Sequence, residues 1–254
     1  MTSPPYTIRK VPRPSHTKRR RIHTPSLFII HATRGHTTLN LQDDATLNWF
    51  QQSPDRGGWG STADVLISSD DDFIYEFGDI MREHSTWSAG YGALGPSYEY
   101  GADEWGISIE LAQTDQQEPF TAKVIDKLVW YVQTRSRDFR LAIPPIHVTD
   151  WNQRRTGAVP SGFIGHDETA NGRKTKKSDP GKHFPWDSFL ARVKGETVTP
   201  RFTGTDYANL TSLLFLGNKY PDGGQGTVTI KYEKSVSSGS QVTDTFTITR
   251  ARKV

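Results

Sequence analysis

Two short runs constrain the fold more than anything else in the chain. Leu27-Phe28-Ile29-Ile30 and Gly106-Ile107-Ser108-Ile109-Glu110-Leu111-Ala112 are apolar almost without interruption. Runs of that length are the mark of strands covered on both faces. Such strands need helices on either side of their sheet, and the sequence offers them. Ile125, Leu128, Val129 and Val132 recur at helical spacing and predict a helix from about Thr121 to Asp138. A shorter helix is expected from Trp186 to Val193, and Asp44 is placed to cap another that carries Leu47 and Phe50. Ala63 to Ser68 and Phe73 to Phe77, split by Asp70-Asp71-Asp72, read as a hairpin. Strands alternating with helices give an α/β layer architecture with a mixed central sheet.

The two ends have a different texture. Arg9, Lys10, Arg13, Lys18, Arg19, Arg20 and Arg21 all precede the first acidic residue, Asp43, and are interspersed with Pro4, Pro5, Pro12, Pro14 and Pro25. Residues 1–25 therefore read as an extended basic arm, either solvated or directed at a polyanion. After Gly195, Gly226 to Glu233 and Val242 to Thr249 alternate apolar and polar residues around Ser237-Ser238-Gly239-Ser240. This predicts a β-rich module over 203–254 whose hairpin has one apolar face, set by Val228, Ile230, Tyr232, Phe246 and Ile248. The remaining residues, 26–195, form the main domain. A chain of 254 residues is long enough for both. No run reaches the roughly 18 apolar residues of a membrane helix, and MTSPPYTIRK has no apolar core behind a basic head. Neither a membrane span nor a secretory signal is expected.

The chain has no cysteine, so any metal must sit on histidine and carboxylate ligands. His31 ends the first apolar run. His166 ends a second short one, Phe163-Ile164-Gly165, and Asp179 follows in Asp179-Pro180-Gly181. Two histidines and a carboxylate, with a fourth position left to water, make up a catalytic zinc site. Their order in the chain does not by itself bring them together, and a lone histidine at a strand end is commonly a core residue. Glu110 is either the outward residue of an alternating strand or a general base. The basic stretch Gly172 to Lys177 is either a solvated loop or the source of a lysine for a developing oxyanion. Trp59, Trp87 and Tyr91 lie in or near a Gly-rich aromatic loop, which either packs locally or lines a sugar-binding groove.

These residues occur together in a known order. Phe28-Ile29-Ile30-His31-Ala32-Thr33, Gly106-Ile107-Ser108-Ile109-Glu110-Leu111, Gly165-His166-Asp167-Glu168-Thr169 and Lys177-Ser178-Asp179-Pro180-Gly181, followed by Phe184-Pro185-Trp186, resemble the type 2 N-acetylmuramoyl-L-alanine amidases. That family includes phage lysozyme-amidases, bacterial cell-wall recycling amidases and animal peptidoglycan recognition proteins. The likeness spans roughly residues 26 to 194 and is specific because several independent motifs agree. It implies a mixed sheet flanked by helices, with Zn2+ at one edge held by His31, His166 and Asp179. By the same likeness, Glu110 and Lys177 fall at the catalytic positions. Trp59, Trp87, Ser88 and Tyr91 fall along the substrate groove. Two positions depart from the pattern: Ser88 stands where many members have His, and Asp64 stands in another such place.

The function this implies is hydrolysis of the amide between N-acetylmuramic acid and L-alanine in bacterial peptidoglycan, most like a phage endolysin. Such an enzyme is made in the host cytoplasm and reaches the wall after release. The basic arm would add contact with acidic wall polymer, and no specific nucleic-acid contact is expected. A muropeptide-recycling amidase and a non-catalytic peptidoglycan receptor are the alternatives.

Overall fold

The computed structural model describes residues 5–33, 39–52, 62–69, 72–85, 88–89, 102–113, 118–149, 160–195, 226–235 and 241–250. The chain divides into two compact units, Met1–Thr197 and Val198–Val254.

The first unit is built on a six-stranded sheet. Its strands are β1 (Thr7–Val11), β3 (Leu27–Ala32), β4 (Val65–Ile67), β5 (Phe73–Phe77), β7 (Gly106–Leu111) and β8 (Gly162–Gly165), in the spatial order β1-β5-β4-β7-β3-β8. β4, β7, β3 and β8 run parallel to one another, whereas β5 pairs antiparallel with β4 and carries β1 parallel at the edge. The sheet is thus mixed, as the alternation of elements implies. A separate small ribbon pairs β2 (Lys18–Arg20) with β6 (Glu83–Ser85). The helices are α1 (Leu39–Gln51), the single turn α2 (Ala102–Trp105), α3 (Ala122–Phe139), α4 (Ala170–Thr175) and α5 (Trp186–Val193).

β3 shows why its sequence is apolar throughout: all six of its residues are buried. Phe28 and Ile30 pack with Ile107, Ile109 and the inner face of α3, while Leu27 and Ile29 pack on the other side with Ala102 and Ile164. Each large side chain buried this way contributes roughly 1.5–3 kcal/mol. α3 begins where Thr121 accepts a hydrogen bond from the Val124 N–H and ends at Arg140 in the left-handed conformation. Its buried face includes Lys127, whose ammonium reaches Ser68 O at 2.8 Å and Phe73 O at 3.1 Å, tying the helix to the end of the β4–β5 hairpin. α1 begins at Leu39, so Asp44 lies inside the helix and does not cap it.

The N-terminal segment corrects the sequence reading. Residues 5–25 are not a free arm: β1 extends the sheet, and β2 pairs with β6. Pro12, Pro14 and Pro25 fall between these elements, where a missing N–H breaks no ladder, and Pro12 directly follows β1. Most of the basic charge is used internally. Arg13 and Arg21 are buried, and both contact Asp64, at 2.6 and 3.5 Å. Lys10 pairs with Glu76, Lys18 lies 2.5 Å from Glu83, and the Arg9 guanidinium sits 3.1 Å above the Phe73 ring centre. Arg19 and Arg20 remain exposed on β2. No helix among the described residues is long and apolar enough to cross a membrane.

In the second unit, β9 (Gly226–Ser235) and β10 (Gln241–Arg250) form an antiparallel hairpin. Its register sets Val228 opposite Ile248, Ile230 opposite Phe246 and Tyr232 opposite Asp244.

Candidate metal centre and active site

Neighbouring parallel strands bring the two histidines together. β3 and β8 pair with Ile30 level with Gly165, and His31 and His166 are the next residue on each. Their rings lie 4.5 Å apart. Both are buried at the end of the sheet. Asp179 reaches them from the loop after α4, its Oδ2 lying 3.2 Å from His31 Nδ1 and 3.1 Å from His166 Nδ1. Backbone contacts fix that loop. The Asp167 N–H donates to Asp179 O at 2.9 Å, and the Lys177 N–H donates to Gly172 O at 2.8 Å.

Gly172 permits this arrangement. A Cβ there would stand 1.8 Å from the carbonyl oxygen of His166, so only glycine lets α4 start this close to the histidine turn. Thr169 closes the join, donating its hydroxyl proton to His166 O at 2.8 Å and accepting the Gly172 N–H at 2.9 Å.

The donor set fits a zinc ion. One nitrogen from each imidazole and one carboxylate oxygen converge, all three within 4.8 Å of one another. Charge-assisted hydrogen bonds to a carboxylate run about 2.7–2.9 Å, shorter than the two contacts seen. A tetrahedral ion with ligand bonds of about 2.0–2.1 Å sets its ligands about 3.3 Å apart, close to the observed 3.1 and 3.2 Å. Protonation favours the same assignment. Burial, with His166 alongside, pushes the His31 pKa below its ordinary value and so favours the neutral, metal-binding form. Burial opposes ionisation of Asp179, but the adjoining His166 and His31 rings outweigh it and hold the carboxyl well below the usual range. Asp167, beside His166, is pushed up to about 6 by burial and by the nearby carboxylates Glu168 and Asp179. A cation would relieve this crowding of negative charge.

Around the three ligands lies an open cavity of about 200 Å3, lined also by Glu110, Lys177, Ser88, Thr33, Thr62 and Phe50. Glu110 is registered with His31 on the neighbouring strand, which puts the two at one level on one face. Lys177 is exposed at the rim, two residues before Asp179. The structure thus brings His31, His166, Asp179, Glu110, Lys177 and Ser88 to one place. Trp59, Trp87 and Tyr91 lie outside the described residues. Thr33 and the buried Asp103 beneath Ser88 were not singled out from sequence. The signal available for Asp103 was an acidic pair, Asp103-Glu104, directly before a strand with no exposed face.

A two-histidine, one-carboxylate centre with an open side, at the edge of a mixed sheet, has the make-up of a hydrolytic zinc site. The profile of the N-acetylmuramoyl-L-alanine amidases matches residues 21–182, and the chain belongs to that family. Among curated proteins, none matches the chain. Several solved structures are similar. A selenomethionine derivative of AmpD is 22% identical, with 73% of this chain and 94% of that chain covered and a TM-score of 0.49. The catalytic domain of PlyG is 15% identical, with 76% and 99% covered and a TM-score of 0.48. Bumblebee PGRP-SA is 16% identical, with 76% and 100% covered and a TM-score of 0.45.

Proposed function

We propose that this chain is a zinc-dependent N-acetylmuramoyl-L-alanine amidase that cuts the glycan–peptide amide of bacterial peptidoglycan. The observation that carries the reading is the convergence of His31, His166 and Asp179 beside Glu110 and Lys177 in one open cavity. Zinc bound by the three ligands would polarise the lactyl carbonyl and lower the pKa of water from about 15.7 toward 7. Glu110, level with His31, takes a proton from the attacking water and returns it to the amine of L-alanine as the C–N bond breaks. Lys177, at the rim, faces its charge to the oxygen that becomes negative when the carbonyl carbon turns tetrahedral. His31 and Asp179 stay neutral and ionised, respectively, as ligands must.

The same reading makes the protein a lytic enzyme of the phage type, made in a host cytoplasm and acting on the wall after release. What supports this is the further unit Val198–Val254, beyond the stretch that matches the family. Digestion of purified cell walls tests both parts. The expected products are free N-terminal L-alanine and intact muramic acid lactyl carboxylates. New reducing sugar ends or internal peptide ends in their place would overturn the assignment.

A further inference from the structure

Behind the metal site runs a chain of polar groups that the mechanism above leaves unused. Ser88 lines the cavity alongside His31, Glu110 and Asp179. Its hydroxyl bonds to Oδ1 of Asp103 and lies 2.8 Å from the hydroxyl of Ser108. The same Asp103 oxygen accepts the Ala89 N–H at 2.7 Å, which fixes the backbone on which Ser88 sits. Asp103 and Ser108 are buried. Ser108 is itself held from below, its N–H donating to Asp64 Oδ2 at 3.0 Å.

The protons in this chain can be assigned. Asp103 Oδ1 acts as an acceptor, since it also takes the Ala89 N–H, so the proton between Ser88 and Asp103 is the one on Ser88. A hydroxyl has a single proton, so the bond between the two serines uses the proton of Ser108. Ser88 has then spent its donor and one lone pair, and the lone pair left for the cavity can only accept. A substrate that places an amide carbonyl beside the metal ligands brings amide N–H groups with it. An acceptor-only side chain selects for those groups and disfavours carbonyl oxygens.

We propose that Ser88 accepts a hydrogen bond from an amide N–H of the substrate, and that Asp103 is the positioning residue that orients it. The inference rests on the amidase reading and adds a specificity element to the same cavity. The N–H could belong to the sugar acetamido group or to the peptide bond that follows L-alanine.

Steady-state kinetics on a soluble muramoyl peptide test it, using the zinc-loaded full chain and following zinc content and Tm in parallel. Ser88→Ala should raise KM about threefold to tenfold, the worth of one neutral hydrogen bond, with kcat within about twofold. Zinc content should be unchanged, while Tm should fall by about 2–12 °C, because buried Asp103 and Ser108 each lose a partner. Asp103→Asn, which still offers an oxygen to Ser88 and Ala89, should raise KM by less. Two substrate analogues, methylated on the acetamido nitrogen or on the peptide nitrogen, identify the donor. Methylating the contacted nitrogen should impair the wild type and leave Ser88→Ala no worse. An unchanged KM in Ser88→Ala would overturn the proposal. So would zinc loss in that variant, an Asp103→Asn effect on KM exceeding that of Ser88→Ala, or equal losses in both proteins with each analogue. A wild-type chain that cuts no muramoyl peptide would instead sink the amidase reading, and the two failures are distinct.

Discussion

Replacing Asp64 by alanine tests the account of the N-terminal segment. The Asp64 carboxylate is buried, and it meets Arg13 Nη2 at 2.6 Å, Arg21 Nη2 at 3.5 Å, and the N–H groups of Ser85 and Ser108 at 3.0 Å each. Removing one partner of a buried ion pair costs about 3–5 kcal/mol, because the remaining charge stays out of water. Two features keep the cost within that range here. Arg21 retains the carbonyls of Ile80, Glu104 and Gly106, and Arg13 retains that of Phe77. Two orphaned backbone donors push the other way, at about 1–3 kcal/mol each if water does not reach them. A net loss of about 4 kcal/mol follows. In a domain of this size each kcal/mol moves Tm by roughly 2–4 °C, so thermal denaturation followed by circular dichroism should show a drop of about 8–16 °C. Asp64→Asn, which keeps an acceptor, should lose less. A drop below about 3 °C for the alanine variant would refute the reasoning, since basic residues in a solvated arm would not notice the change.

Three further outcomes are expected. Gly172→Ala should push α4 away from the carbonyl of His166, costing about 1–3 kcal/mol of stability and weakening zinc binding in a competitive chelator titration; wild-type affinity would contradict the close approach. Glu110→Gln and Lys177→Ala should each lower turnover about 10²-fold or more with zinc still bound; loss of metal in step with activity would place the residue among the ligands instead. Truncation after Gly195 should leave a folded protein that cleaves a soluble muropeptide but clears intact walls more slowly, and an unfolded product would refute the separation into two units.

The parts of the fold legible in the sequence are those with strong periodicity. β3 and β7 are apolar throughout because both faces are covered, and α3 keeps its apolar stripe because it lies on the sheet. The N-terminal segment was not legible, for a physical reason. Arg13 and Arg21 are stabilised by partners 43 or more positions away, such as Asp64 and the carbonyls of Phe77 and Gly106, and composition alone assigns buried arginines to a solvated tail. Asp64 shows the same limit from the other side. It stands where many family members have His, and its carboxylate is used in holding the chain's own basic segment and the backbone of Ser85 and Ser108. For the candidate site, the strand ends marked His31 and His166, but only the loop after α4, whose close approach Gly172 permits, brings Asp179 back to them. The role of Asp103 carries no mark in the sequence, because it depends on which group the side chain touches and spacing does not encode that.

The claim on which the rest depends is that His31, His166 and Asp179 hold a zinc ion needed for amide cleavage. The most direct measurement pairs metal content with release of L-alanine amino termini from purified peptidoglycan, for the wild type, the chelated protein and His166→Ala. About one zinc per chain is expected in the wild type, with cleavage lost on chelation and restored by zinc. His166→Ala should be folded, depleted of zinc and inactive. Cleavage that persists in fully zinc-free protein, or in His166→Ala without metal, would contradict the account.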